Sequence, residues 1–289
     1  MNKVLIIDGH NLAHRARHRF AKFSNSEGLS SSVVFGGPFI VSSLIRRFPN
    51  DLTYVVFDGG RAKERMEALP EYKAGRDRED NDQFFKQMED FKKILNNLNV
   101  RVIWERHEEA DDFIYTLGKV VHRTTHKTIV SSDKDFIPML DPWTKIFNPF
   151  KDKIITTENC KKLYGFSHTE FLDYLILKGD KSDNISGVPG LGDKRIRQLL
   201  DEFGSIDDYL EQCTGGIFDK YWEDIDAVND RNHELINLRY FHNKYRRNHP
   251  VSYWGEPTYN PQAVKVIAHG YGIRVFNDDK FLKPFRELG

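Results

Sequence analysis

The sequence predicts an α/β fold: a mainly parallel sheet with helices on both faces. Three observations carry that prediction. Four short runs, Val4-Leu5-Ile6-Ile7, Tyr54-Val55-Val56-Phe57, Val100-Arg101-Val102-Ile103-Trp104 and Lys127-Thr128-Ile129-Val130, are nearly continuous in apolar residues, as strands covered on both faces are. Stretches with apolar residues three and four apart separate them, so the strands are joined by helical crossovers. Acids follow each run closely, at Asp8-Gly9, Asp58-Gly59-Gly60, Glu108 to Asp112 and Asp133 to Asp135. Ligands of open parallel sheets gather outside the carboxyl ends of the strands, which places these acids on one rim.

The totals set wide bounds. A chain of 289 residues can bury a large core, as one large domain or two modest ones. Lys+Arg and Asp+Glu are both 43, so net charge selects no partner and the segregation of the two signs matters instead. Cys160 and Cys213 are too few for a disulfide framework and lack Cys-x-x-Cys spacing, so reduced thiols are expected. No signal-peptide apolar region follows Met1, and no stretch reaches the ~18 apolar residues of a membrane span. A soluble cytoplasmic protein with no membrane partner is the expectation.

Taken in order, the first strand delivers Asp8 to the rim, and a Ser-rich segment at Ser30 to Ser32 leads into a helix over Phe35 to Phe48. After Asp58 the texture changes. Arg61, Lys63, Arg65, Lys73, Arg76 and Arg78 mix with acids and little apolar material, which predicts an exposed, mobile segment over about residues 61–85. It reads either as a solvated loop or as a basic arm that handles phosphates, with Tyr72 free to stack on a base. Phe84, Met88, Phe91, Leu95 and Leu98 then mark a core helix.

The third strand leads to Glu108-Glu109-Ala110-Asp111-Asp112. Phe113, Ile114, Leu117, Val120 and Val121 follow at helical spacing, so Ala110 to Val121 is predicted as an amphipathic helix with acids in its first turn. That position keeps carboxylates ionised, each by roughly 0.3–1 kcal/mol, which is the state a hard cation requires. Glu109 and Asp112, three apart, share a face. After the fourth strand, Lys145-Ile146-Phe147 and Ile154-Ile155 predict edge strands or a hairpin, and Glu158 to Tyr164 and Thr169 to Lys178 short helices.

Gly179 to Asn184 adds Asp180 and Asp183. The run Gly187-Val188-Pro189-Gly190-Leu191-Gly192-Asp193-Lys194 then leads into Ile196, Leu199, Leu200 and Phe203, with Gly204 closing the helix. This describes a helix-hairpin-helix over about residues 179–204, whose glycines turn backbone N–H groups toward a phosphate while Lys194, Arg195 and Arg197 supply countercharge. Beyond Ser205 come helical fragments and a basic cluster, Lys244-Tyr245-Arg246-Arg247, suited to packing and DNA contact; no chemistry is legible there. The division is a core over 1–178 and a second part over 179–289, its helical end packed on the core.

Collected, the acids are Asp8, Asp58, Glu109, Asp111, Asp112, Asp133, Asp135, Asp180 and Asp183. Oxygen-only ligands select Mg²⁺ or Mn²⁺, and so many like charges repel unless cations stand between them. Two ions about 4 Å apart activate a water and stabilise the leaving oxygen of a phosphodiester. Phosphodiester hydrolysis is the reaction this set suits.

These residues resemble the 5′ nucleases: flap endonucleases, the 5′ nuclease domain of bacterial DNA polymerase I and free-standing bacteriophage enzymes. The resemblance rests on Asp8-Gly9, Asp58, Pro70-Glu71-Tyr72-Lys73-Ala74-Gly75-Arg76, Glu109-Ala110-Asp111-Asp112, Ser132-Asp133-Lys134-Asp135 and Gly179-Asp180 through Gly192, and covers about Val4 to Gly204. It implies a PIN-like sheet, a helical arch at about 61–85, and a structure-specific 5′-3′ exonuclease and flap endonuclease. Asp58, Glu109, Asp111 and Asp112, with Asp8 through water, correspond to one Mg²⁺ site; Asp133, Asp135, Asp180 and Asp183 correspond to a second. Lys73 and Arg76 match the basic arch residues that steady the scissile phosphate, which places them with Asp58, Asp111 and Asp133 in the catalytic set. Tyr72, Lys73, Arg76, Val188, Gly190, Gly192 and Lys194 are the expected DNA contacts, with K⁺ held by the hairpin carbonyls near Val188 and Gly190. His10 is read as a hydrogen-bonding surface residue, and Ile196 stands where such hairpins often have a small one.

The implied partners are DNA with a 5′ flap, a 5′ overhang or a nick or gap, RNA–DNA hybrids at primers, and a replication polymerase or single-strand-binding protein, met by a monomer in the cytoplasm, the host's if the chain is phage-encoded. Two other readings compete. A catalytically dead DNA-binding protein on this scaffold would lack some of the acids, and none is missing. A PIN-like ribonuclease would not need the segment from Tyr72 to Arg76 or the hairpin from Gly187 to Gly192.

Overall fold

A computed structural model describes residues 3–25, 28–75, 82–212 and 216–288. In chain order the elements of the first half are β1 (Lys3–Asp8), α1 (Gly9–Arg19), α2 (Ser32–Arg47), β2 (Leu52–Val56), α3 (Lys63–Ala68), α4 (Asp82–Asn96), β3 (Arg101–Ile103), α5 (Ala110–Tyr115) and β4 (His126–Val130). Then come β5 (Thr144–Asn148), β6 (Lys153–Ile155), α6 (Thr157–Tyr164), α7 (Phe171–Lys178), β7 (Gly179–Asp180), β8 (Ile185–Ser186), α8 (Asp193–Phe203), α9 (Ile206–Gln212), α10 (Trp222–Ile236), α11 (Leu238–Phe241), α12 (Pro261–Gly270) and α13 (Asp279–Arg286).

The main sheet has the order β3-β2-β1-β4-β5-β6, parallel except for β6. The four predicted strands are therefore its four adjacent parallel members. Lys145-Ile146-Phe147 adds a fifth parallel strand, and Ile154-Ile155 closes the edge as an antiparallel hairpin. Alternation along β1 divides the core. Val4 and Ile6 face α5, α7, α8 and α10, while Leu5 and Ile7 face α1, α2 and α4.

The end of the chain serves both faces. α10 packs beside α7, and α12 and α13 reach the opposite face against α4 and α2. Between them the chain runs along the free side of β3, where Trp254 N–H donates to Val102 O at 3.0 Å and Tyr253 pairs with Ile103, so this edge of the sheet is covered.

The helix predicted over Ala110 to Val121 is continuous but changes pitch, widening to a π-helix over Thr116–Val121. The Thr116 hydroxyl donates to Asp112 O at 2.8 Å and meets His242 Nδ1 at 3.1 Å, competing for a carbonyl that an α-helix would use.

The exposed, mobile segment expected after Asp58 needs correction. Over residues 61–75 the chain folds onto the core: Arg65 and Tyr72 are each 2% exposed, and α3 packs on α10. Polar anchors replace the missing apolar ones. Arg76 and Arg78, also assigned to this segment, lie outside the described residues, as does Cys213.

Candidate active site

The parallel register brings the acids together. Asp8 is level with Val56 of β2, and Ile7 with Val130 of β4, so Asp58 and Ser131 to Asp135 leave the sheet at the same rim as Asp8. Asp8 caps α1. Its Oδ1 accepts the Asn11 N–H at 3.0 Å, and its Oδ2 accepts the Ser131 hydroxyl at 2.9 Å. Burial, together with the charges of Asp58 and Asp133, nonetheless pushes its carboxyl up to about 7, against these two bonds.

Asp58 reaches across to the acidic helix, where its Oδ1 accepts the Ala110 N–H at 2.8 Å. His10 Nδ1 accepts the Asp58 backbone N–H at 3.0 Å and lies 3.4 Å from its carboxylate, which gives His10 the hydrogen-bonding part expected of it. The glycine after Asp58 is obligatory. Gly59 exchanges backbone bonds with Glu108 and His107, and a Cβ there would lie 1.5 Å from the Glu105 carbonyl oxygen. This close approach fixes Asp58 against the start of α5.

Behind the rim lies a buried polar knot. Arg65 grips Asp112 with two bonds, Nη1 to Oδ2 at 2.8 Å and Nη2 to Oδ1 at 2.7 Å. It also lies 3.3 Å from Glu109, donates to Leu235 O, and sits 3.8 Å from the centroid of the Phe241 ring. Burial opposes its charge, but Asp112 and Glu109 hold the guanidinium well above its ordinary pKa. Glu109 is saturated in turn: Oε1 accepts the Ala62 N–H at 3.0 Å, and Oε2 accepts the Tyr72 hydroxyl at 2.9 Å and Lys73 Nζ at 2.7 Å. Burial would raise its pKa, yet Arg65 and Lys73 bring it below the usual carboxylate range.

Two expectations change with this knot. Tyr72 is not free to stack on a base, because its ring is buried and its hydroxyl is spent on Glu109. Asp112 spends both oxygens on Arg65, so in this structure it anchors α3 instead of opening toward the rim. Arg65 itself was not singled out from the sequence; the signal was Glu109 and Asp112 on one face, a buried pair of acids that requires a countercharge.

Lys73 joins the two acidic groups. Its backbone has a φ of 53°, a left-handed conformation that costs a non-glycine residue on the order of 1–3 kcal/mol. Its N–H donates to Asp183 O at 2.9 Å, and its ammonium lies 3.7 Å from Asp183 Oδ2 as well as against Glu109. Burial disfavours that charge, but Glu109, Tyr72, Asp111 and Asp183 raise its pKa above the usual lysine value.

The remaining acids are less well compensated. Asp111 is raised well above its ordinary pKa by burial and then by Asp133, Asp58 and Asp8; Asp135 is raised likewise by burial and then by Asp133, Asp180 and Asp183. The β7–β8 hairpin carries Asp180 and Asp183, and α10 holds it through Asn232, which donates to Ile176 O at 2.8 Å and Ser186 O at 3.0 Å. Among the described residues no three His, Cys, Asp or Glu side chains already stand in an arrangement that could hold a metal ion. The chemistry of the donor set nevertheless fits hard divalent cations. It is all oxygen, and burial followed by the charges of neighbouring carboxylates raises the pKa of Asp8, Asp111 and Asp135, a cost that a hard cation among them offsets.

The predicted helix-hairpin-helix is formed by α7, the turn through Val188, Gly190 and Gly192, and α8. Lys178 Nζ joins its two helices by donating to Asp193 at 2.6 Å and to the Tyr174 hydroxyl at 2.7 Å. Ile196 is fully buried beside Leu199 and Leu200, and Lys194 is exposed at the start of α8.

Residues 3–165 match the family of the 5′-3′ exonuclease N-terminal, resolvase-like domain, and residues 166–239 match that of the 5′-3′ exonuclease C-terminal SAM fold. The chain belongs to the 5′-3′ exonuclease family. DNA polymerase I of Streptococcus pneumoniae is 32% identical to this family member over 244 residues, which is 81% of the chain and 28% of the relative. The chain thus spans under a third of the length of that polymerase. A 5′-3′ exonuclease of Buchnera aphidicola is 28% identical over 85% of the chain and 83% of its own length. Among solved structures, a bacteriophage T5 flap endonuclease in a pseudo-enzyme-product complex with DNA and metal ions superposes with a TM-score of 0.69 at 25% identity, covering 99% of this chain and 98% of its own. The two matched parts of this 5′-3′ exonuclease family chain meet between α6 and α7.

Proposed function

We propose that this chain is a structure-specific 5′ nuclease that hydrolyses phosphodiester bonds of DNA, as a 5′-3′ exonuclease and 5′-flap endonuclease, in replication or repair. The observation that carries this reading is the convergence of Asp8, Asp58, Asp111, Asp133, Asp135, Asp180 and Asp183 on one rim, where burial and then the neighbouring carboxylates raise the pKa of Asp8, Asp111 and Asp135. Family membership and the helix-hairpin-helix beside that rim support it.

Those seven residues would hold two Mg²⁺ ions, for which Mn²⁺ can substitute, and Glu109 would join them once Lys73 turns from it to the scissile phosphate. When bound, such ions supply an activated water and charge stabilisation at the leaving oxygen. The chain's own residues do the remainder. Asp58 is aimed by His10 and the Ala110 N–H; Arg65 and Asp112 lock α3 to α5 and so set the position of Glu109. Lys73 neutralises Glu109 and Asp183 before substrate arrives and then steadies the scissile phosphate, with Arg76 as the second basic residue of that segment. Gly192 and Lys194, at the start of α8, face the duplex backbone.

The substrates are duplexes with a 5′ flap, 5′ overhang, nick or gap, and RNA–DNA hybrids at primers, met by a monomer in the cytoplasm, with a replication polymerase or single-strand-binding protein as its partner. Among the described residues no helix is long and apolar enough to cross a membrane. Titration of MgCl₂ into the protein, followed by calorimetry, tests the cation sites apart from activity. Binding of more than one ion, weakened in Asp111→Asn and Asp135→Asn, supports the reading, and no binding at millimolar Mg²⁺ contradicts it.

A further inference from the structure

The resemblance implies a potassium ion on the hairpin carbonyls, and the residues present do not fit one. Three carbonyls of this turn already accept hydrogen bonds from within the chain, and Gly190 O accepts two from side chains. Val188 O accepts the Leu191 N–H at 3.2 Å, and Gly192 O accepts the N–H groups of Arg195 at 2.8 Å and Ile196 at 3.0 Å. Gly190 O accepts Arg195 Nη1 at 2.8 Å and the Tyr221 hydroxyl at 3.3 Å.

We propose that the Arg195 guanidinium is this chain's built-in substitute for the hairpin cation, so that its grip on duplex DNA is indifferent to which monovalent cation is present. The group is placed from two sides. Gly190 has a φ of +74°, the left-handed turn that brings its carbonyl round to α8, and a side chain there would be strained. Arg195, in the first turn of α8, points back toward the helix start, as long helical side chains do. Tyr221, which is buried and comes from the segment before α10, completes the triangle: Arg195 Nη1 lies 2.8 Å from its hydroxyl.

Arg195 is exposed, yet its guanidinium has a second partner beyond the nearest carbonyl. A buried tyrosine from the segment before α10 shares both the carbonyl and the guanidinium, and both groups direct donor hydrogens at Gly190 O. A guanidinium stays charged at every working pH and is tethered, so it pays no binding entropy and cannot be exchanged for Na⁺ or Li⁺. It leaves a fixed positive charge beside Lys194 at the end of α8 that meets the backbone.

The inference rests on the proposed reading of duplex DNA as the ligand. Its test is binding of a fluorescently labelled nicked duplex, with Ca²⁺ in place of Mg²⁺, in KCl, NaCl and LiCl of equal concentration. The wild-type Kd should agree within about twofold across the three salts. Arg195→Gln should bind about fivefold or more weakly in LiCl and recover in KCl, because the emptied carbonyl becomes available to a diffusible ion. Tyr221→Phe, which keeps the ring and the guanidinium, should retain the wild-type indifference.

A wild-type protein that binds about fivefold or more tightly in KCl than in LiCl overturns the proposal, as does a folded Arg195→Gln that remains indifferent. Crystals of the wild type soaked in thallium(I) provide a readout independent of any variant's folding and of DNA. No anomalous peak is expected at Gly190 O, and a peak there overturns the proposal. Failure to bind duplex in every salt would instead count against the nuclease reading, and the thallium result would still decide this one.

Discussion

Lys73 and Glu109 form a buried ion pair, Nζ to Oε2 at 2.7 Å, and through it the segment after β2 is tied to the acidic helix start. The same ammonium lies 3.7 Å from Asp183, so one lysine links acids that belong to the two separately matched parts of the chain.

Lys73→Ala should therefore act on the chemical step. Turnover on a flap substrate should fall by about 10²–10³ while Kd for the duplex changes only a few-fold, measured by single-turnover kinetics and anisotropy. A change confined to affinity would make Lys73 a phosphate-positioning residue only.

Arg65→Met should leave the Asp112 carboxylate buried without its partner and destabilise the fold by about 3–5 kcal/mol in urea unfolding. Arg65→Met with Asp112→Leu removes both charges and should recover most of that loss. A double variant as unstable as the single one would show that packing against Phe241, not charge, is what Arg65 supplies.

Asp133→Asn should abolish cleavage and keep duplex binding: after burial, the Asp133 charge is the next cause raising Asp111 and Asp135, and it adds more weakly to the rise of Asp8. Unchanged turnover would remove it from the catalytic set.

Asp173 gives a pH signature away from the rim. Burial pushes its carboxyl up to about 6, with Asp207 and Asp208 adding to the rise and the Ile206 N–H opposing it. The folded state then binds the proton more tightly than the unfolded one. Its contribution is full below the ordinary carboxylate pKa near 4 and is lost as pH rises through about 6. Asp173→Asn should flatten stability between those values and raise it at pH 7 to 8, as read by thermal unfolding; a variant whose profile parallels the wild type would contradict the assignment.

Lys194→Ala should weaken duplex binding and reduce the salt slope of log Kd by about 1, without moving the cut position. A displaced cut would mean that the hairpin sets register.

The sheet was legible because its signal is local: Val4 to Ile7 or Lys127 to Val130 announces a doubly covered strand in four residues, and each acid lies within a few residues of its strand's end. The rim followed from topology. Residues 61–75 were not legible, because what buries them is far away in sequence and largely polar. Arg65 and Tyr72 find Asp112 and Glu109, 47 and 37 residues away, through polar contacts that leave no periodicity. The same holds for Asn232, which ties α10 to Ser186 of β8 and to Ile176 of α7. The change of pitch at Thr116 depends on a single hydroxyl and on His242, more than a hundred residues later. The opposite destinations of α10 and α13 are defined by their partners α7 and α2, which are far from them in sequence.

Whether the chain is a metal-dependent 5′ nuclease is decided by a 5′-flap duplex labelled separately at each end of the flap strand and incubated with and without Mg²⁺. The account predicts release of an intact flap, cut near the junction and only with metal, together with slower shortening of a duplex from its 5′ end. Cleavage that persists in chelator, or that starts at the 3′ end, would contradict it. Retained binding with no product in Mg²⁺ or Mn²⁺ would also contradict it, and would leave a DNA-binding protein on a nuclease scaffold.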